Sequence, residues 1–207
     1  MKFPLLALFV SVAAFSGCTT TVRYNPEYLN QSFRNVEPSI EGKALIVTEE
    51  KKEYRFYSQS PSSVTGAAMK VVGNFGQHLS EIAQSYFERS FREGVDRSYE
   101  LKTDDNYRLI IQPEIVRFDY RYNGLKNLFF AITPESKIDL YVAIYDVEGA
   151  LVFEKKYVTP YTSGGTYLIS FKPAEKINKS IHKALFQLMI EVSDDVEDYL
   201  ESEQSVN

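Results

Sequence analysis

Apolar residues recur along this chain with several spacings, and each spacing predicts a different element. From residue 74 the period is three to four. Phe75, Leu79, Ile82, Ala83, Tyr86 and Phe87 fall on one side of a helix, with Gln77, Glu81, Gln84 and Glu88 opposite. Asn74 is placed to cap that helix, Arg89 and Arg92 lie near its end, and Gly94 is placed to stop it. Further on the period drops to two. Residues 107–122 carry Leu109, Ile111 and Ile115 on one phase and Val116, Phe118, Tyr120 and Tyr122 on the other. The phase changes around Pro113, and proline donates nothing to a ladder, so an edge position or a bulge is expected there. In residues 137–146 Ile138, Leu140, Val142 and Ile144 share one face; Asp146-Val147-Glu148-Gly149 turns the chain, and residues 151–159 return antiparallel.

Two more segments complete the pattern. Residues 43–48 are short and mostly apolar, as in a strand covered on both faces. Residues 49–53 read as a charged turn, 54–57 as a short strand and 58–65 as a Ser/Pro-rich loop. After a loop over 160–173, a final helix spans about 174–200, with Ile177, Ile181, Ala184, Leu185, Leu188, Val192 and Val196 in one stripe. Phe186 and Ile190 lie more than a quarter turn from its centre, so either the sheet wraps that far or the pair is exposed and meets something else. Amphipathic helices bury their stripes, and a sheet with one apolar face is the natural partner. The expectation is an α+β two-layer sandwich in the order β-α-β-β-β-α. Two helices would pack on one face of a mostly antiparallel sheet of about four strands, in a single domain over 42–200 with a tail at 201–207.

The first 41 residues follow another logic. Lys2 is followed by an almost unbroken apolar run over residues 3–15, then Ser16, Gly17 and Cys18, the single cysteine of the chain. That is the layout of a secretory signal peptide over 1–17, and about 15 apolar residues are too few to span a bilayer comfortably. The stretch resembles the lipobox of bacterial lipoproteins. The resemblance implies cleavage before Cys18, diacylglycerol on its sulfur, and an acyl chain, such as palmitate, on the new amine. Two or more chains hold a protein stably on a membrane. Thr19 stands where an Asp would favour inner-membrane retention in enterobacterial lipoproteins, so the resemblance points to the outer membrane, facing the periplasm. Asn25-Pro26, Asn30-Gln31-Ser32 and Glu37-Pro38 break all periodicity, and residues 18–41 read as a lipidated N-terminus and flexible tether.

The mature chain resembles the YajG-type periplasmic lipoproteins and, more loosely, LptE-like and transport-auxiliary lipoproteins. The features carrying the likeness are Cys18, the run Leu79-Ser80-Glu81-Ile82 through Phe91-Arg92-Glu93-Gly94, Tyr107-Arg108-Leu109-Ile110-Ile111, Ile138-Asp139-Leu140-Tyr141-Val142, and a last helix with acidic residues at its end. The likeness lies in element order more than in residue identity. It implies a helix-on-sheet domain that assists a larger envelope assembly.

Composition and motif searches narrow the chemistry. A formal net charge of −5 with no dense Lys/Arg block argues against nucleic acid. His78 and His182 fall on different helices and begin no two-His metal motif, and no Gly-x-Ser-x-Gly elbow or phosphate-binding Gly-rich loop is present. Ser163-Gly164-Gly165-Thr166 could present amides to an anion, though a flexible loop is the plainer reading. Asp104-Asp105 and Asp194-Asp195 lack EF-hand spacing. No catalytic residue, metal or cofactor beyond the acyl groups is expected. The candidate contact residues are apolar ones in loops: Leu128, Phe129, Phe130 and Ile132, then Tyr161, Tyr167, Leu168, Ile169 and Phe171, with Phe186 and Ile190. Core plugging or strand extension is the structural alternative. These features favour a non-enzymatic binding or assembly-accessory module acting on an envelope protein or lipid. A lipid- or glycolipid-handling accessory, a regulator of a cell-wall synthase and a wall hydrolase are the alternatives, and the oligomeric state stays open.

Overall fold

A computed structural model of the protein describes residues 19–28, 38–63, 70–103, 106–123, 131–168 and 173–206. The elements are β1 (Thr19–Val22), β2 (Ala44–Val47), α1 (Glu50–Glu53), β3 (Tyr57–Gln59), β4 (Lys70–Gly73), α2 (Phe75–Ser90), β5 (Val95–Ser98), β6 (Leu109–Asn123), β7 (Ala131–Tyr145), β8 (Leu151–Val158), β9 (Thr162–Ser163), β10 (Tyr167–Leu168) and α3 (Pro173–Val206). They form a mixed α+β fold with two open sheets. The larger runs β5-β2-β6-β7, and the outer side of β7 is taken in turn by β8, β9 and β10. The smaller runs β1-β4-β3.

The expected sheet of about four strands in the order β-α-β-β-β-α is therefore too small and too uniformly antiparallel. β2 lies parallel to both β5 and β6, and β1 parallel to β4. The extra strands are short and carry little period of their own. β5 is Val-Asp-Arg-Ser, and what makes it a strand is its pairing with β2. The tether expected from residue 18 is likewise interrupted at once: Thr19–Val22 form β1, with Thr20 and Val22 buried. Three threonines and a valine are β-branched and alternate inward and outward, a signal the prolines farther on obscured. Residues 49–53 hold a helical turn rather than a plain turn. The last helix runs to Val206, through the residues expected to form a tail.

The Pro113 expectation divides in two. Pairing of β6 with β2 stops at Ile111, so Pro113 lies beyond the partner strand on that side. The bulge itself falls three residues later, where the β6–β7 register shifts between Ile115 and Arg117 and leaves Val116 55% exposed. One inserted residue flips the alternation, which is why Ile115 and Phe118, on opposite phases in sequence, both point into the core.

α2 begins as its sequence predicts: the Asn74 side chain accepts a hydrogen bond from the Gln77 N–H at 3.2 Å. α2 and α3 lie side by side, α2 packing on β6 and α3 on β7, and bury Phe75, Leu79, Ile82, Phe87, Ile181, Leu185 and Leu188 in one core with Ile111, Phe118, Ile138 and Leu140. Each such side chain is worth about 1.5–3 kcal/mol once removed from water. Phe186 is half-buried against the core, its ring edge-on to Tyr86 of α2 at 5.6 Å, while Ile190, one turn on, stays 39% exposed. Gly76 lets α1 close on the first turn of α2, since a Cβ there would sit 2.2 Å from the Lys52 carbonyl oxygen. Glu53, nearly buried, and Arg97 of β5 form an ion pair across the same corner at 2.5 Å.

Candidate functional site

Three connections leave the described structure at one end of the larger sheet, and direct contacts hold their flanks together. β6 ends at Asn123 and β7 begins at Ala131, while β10 pairs Tyr167 with Ile132 and Leu168 with Ala131. Residues 124–130 and 169–172 therefore depart from neighbouring strands. On the other side of β6, beyond the reach of β2, a loop takes the free edge. The Ser62 N–H donates to the Tyr120 carbonyl and the Tyr122 N–H donates to Ser63 Oγ, each at 2.9 Å. Residues 64–69 depart from this point, and β4 resumes at Lys70, the register partner of Thr19. The residue that follows Cys18 in sequence thus lies at the same end.

The face of this end turned away from the helices is a ladder of opposite charges. Arg117 stands across from Asp139, Asp119 from Lys137, and Arg121 from Glu135. Glu135 is 3% exposed and accepts from Arg121 Nε at 2.8 Å. Tyr161 crosses the ladder: its hydroxyl donates to Asp119 Oδ2 at 2.7 Å, and the Arg121 guanidinium lies over its ring at 3.9 Å. Lys156 of β8 reaches Asp139 Oδ2 at 2.8 Å. Asp119 and Asp139 each keep a second, buried oxygen without a partner among the described residues. Opposite charges facing each other across strands fix register as well as contributing stability.

The sequence-derived contact residues divide on this framework. Cys18, Leu128, Phe129, Phe130, Ile169 and Phe171 lie outside the described residues. Tyr167 and Leu168 form β10, Ile132 packs half-buried against the core, and Tyr161 is half-buried with ring and hydroxyl both engaged. Phe186 and Ile190 sit on α3, Phe186 against Tyr86 of α2 and Ile190 exposed. Sequence reasoning missed Ser62, Ser63, Asp119, Arg121 and Glu135. The complementary runs Arg117-Phe118-Asp119-Tyr120-Arg121 and Glu135-Ser136-Lys137-Ile138-Asp139 were the available signal.

Other candidate chemistry is absorbed by the fold. The Gly164 N–H donates to the Pro134 carbonyl and the Gly165 N–H to Ser163 Oγ, so the glycine pair is committed internally. Asp195 accepts from Lys155 Nζ and from the Tyr157 hydroxyl, both at 2.6 Å. Burial alone would raise its carboxyl; those two hydrogen bonds and the Lys155 charge outweigh it and hold the group below the ordinary carboxylate range. Asp104 and Asp105 lie outside the described residues. The two histidines come together between α2 and α3, both buried. Among the described residues no His/Cys/Asp/Glu group is arranged to hold a metal ion, and no helix is long and apolar enough to cross a membrane.

No protein-family model matches the chain, and no curated protein matches it in sequence. Solved structures do. Protein XCC0632 of Xanthomonas campestris, of family DUF330, aligns with a TM-score of 0.54 at 13% identity, covering 90% of this chain and 98% of that one. A Caulobacter crescentus protein described provisionally as a lipoprotein aligns with a TM-score of 0.40 at 14% identity over 63% of this chain and 86% of its own. Uncharacterized lipoprotein B of Nitrosomonas europaea gives 0.37 at 14% identity, covering 82% and 96%. The likeness to the Xanthomonas protein establishes the general fold and reaches no further.

Proposed function

We propose that the protein is a bacterial envelope lipoprotein, held on the outer membrane by diacylglycerol and an N-acyl chain on Cys18, and facing the periplasm. It works as a non-enzymatic accessory whose sheet end touches lipid, or a partner at the lipid surface, in the manner implied by its YajG-type resemblance. One observation carries this reading. Thr19, next to the acylated residue, lies at the end from which 64–69, 124–130 and 169–172 depart, and those stretches include Val64, Met69, Leu125, Leu128, Phe129, Phe130, Ile169 and Phe171. Contiguous apolar residues in connections mark contact sites, and here they share an end with the anchor.

Mass spectrometry of protein from its native envelope is expected to find the thioether-linked diacylglycerol on Cys18. The acylated protein, reconstituted in vesicles doped with a photoactivatable phospholipid, is expected to label peptides carrying 124–130 and 169–172 well above those of β8. An unmodified thiol would remove the anchor, and equal labelling of β8 would remove the contact end.

A further inference from the structure

Among the described residues the aromatic side chains left exposed are Tyr54, Phe56 and Tyr99, at 53%, 68% and 44%. Two of them meet. Tyr54 closes α1 and Tyr99 follows β5, and their hydroxyls stand 3.2 Å apart. Both side chains border a depression of about 330 Å³ between α1, the first turns of α2 and the end of β5, lined also by Glu53, Gln77, Glu81 and Arg97. That volume lies at the lower end of the range for small-molecule sites, about 300–1,000 Å³.

The floor of the depression is fixed by the fold. Arg97 holds the buried Glu53 at 2.5 Å and reaches Glu81 and Gln84 of α2, each at 3.4 Å. Ser80 donates to the other Glu53 oxygen, also at 3.4 Å. Gly76 seats α1 against α2, so Tyr54 projects from a packed corner. A site whose groups are already held in place spends little of its binding energy on ordering them.

Some hydrogen-bonding capacity around this floor is left over. One tyrosine hydroxyl donates to the other, which leaves the second hydroxyl proton for a ligand. Gln77 accepts from Asn74 through Oε1, and its Nε2 meets no acceptor among the described residues. Glu81 meets Arg97 through Oε1, and its second oxygen has no donor among the described residues. Donors and an acceptor beside exposed aromatic rings suit a sugar. Each pyranose hydroxyl both donates and accepts, and the C–H groups on one side of the ring are weakly positive, matching the negative face of a tyrosine. An acyl chain in the same place would strip water from Glu81 and Arg97 and return no hydrogen bond. Two carboxylates against one guanidinium leave an excess of negative charge, which turns away anionic sugars.

We propose that this depression is a carbohydrate site, in which a neutral pyranose packs against Tyr54 and Tyr99 and its hydroxyls bond to Gln77 and Glu81. The site needs neither the acyl anchor nor the contact end of the larger sheet.

Saturation-transfer NMR on the full acylated protein, held in a detergent without a sugar headgroup, tests the site with triacetylchitotriose, maltotriose and trigalacturonate. At least one of the two neutral trisaccharides is expected to bind, and trigalacturonate on the order of tenfold more weakly. Tyr99→Ala should weaken the neutral sugar by about tenfold or more, whereas Tyr99→Phe, which keeps the ring, should weaken it by about threefold at most. Tyr99 is exposed, so both variants should unfold at the wild-type midpoint; if Tyr99→Ala does not, Tyr54→Ala supplies the same comparison. Failure of both neutral sugars to bind overturns the proposal. So does equal binding of trigalacturonate, undiminished binding in a folded alanine variant, or a loss in Tyr99→Phe as large as in Tyr99→Ala. Cys18→Ala, which removes the anchor proposed above, should bind the sugar as the wild type does.

Discussion

The larger sheet has two halves built on different principles. Around β2 both faces are dry: Ala44, Ile46, Leu109 and Ile111 meet the helices, while Leu45, Val47 and Ile110 form a second apolar cluster behind. In the distal half of β6 and β7 only the helix-facing side is apolar, and the reverse side carries the charge ladder from Arg117 to Glu135. The bulge at Val116 divides them. Strands parallel to their neighbours are usually buried on both faces, whereas antiparallel hairpins tolerate one wet face. The dry half therefore supplies cohesion. The charged half fixes the register of β6 against β7.

Substitutions in the two halves should differ in size and kind. Ile111→Ala, in the dry half, opens a cavity in the fully buried core and is expected to cost about 2–5 kcal/mol by denaturant unfolding. A loss below 1 kcal/mol would show that half to be loosely packed. Arg121→Ala, in the charged half, takes the guanidinium from the buried Glu135 carboxylate, which keeps the Asn123 amide at 3.4 Å and gains water through the vacated site. A loss of about 2 kcal/mol is expected, with the loosening confined in hydrogen exchange to residues 117–123 and 131–139. Global loosening of equal size would erase the distinction between the halves. Lys156→Ala removes a partner that is itself half exposed, and the change should stay within about 1 kcal/mol.

Sequence patterning revealed these halves unequally. Long stretches with one dominant period were legible: α2 with its Asn74 cap, the alternation of β7, and the stripe of α3. β6 was legible as two phases, yet the position of the bulge was not, because Pro113 announced itself and Val116 looked like any strand residue. Short strands were invisible for a physical reason. β5, β9 and β10 contain two to four residues and take their conformation from a neighbour's ladder rather than from their own side chains. The approach of the two histidines was equally hidden, since it depends on how α2 and α3 align. Apolar connections were legible as composition, but that their flanks share an end with Thr19 follows only from the pairing of β1 with β4 and of β10 with β7.

β8 leaves one long margin of the sheet with no neighbour among the described residues. Such a margin invites a strand from another molecule, and proteins commonly discourage this with lysines. Lys155 and Lys156 occupy the middle of that margin, each tied to an acid of its own chain, Asp195 and Asp139. Two intruding backbones would have to displace both pairs before zipping together. The two pairs thereby discourage edge-to-edge joining of copies through β8.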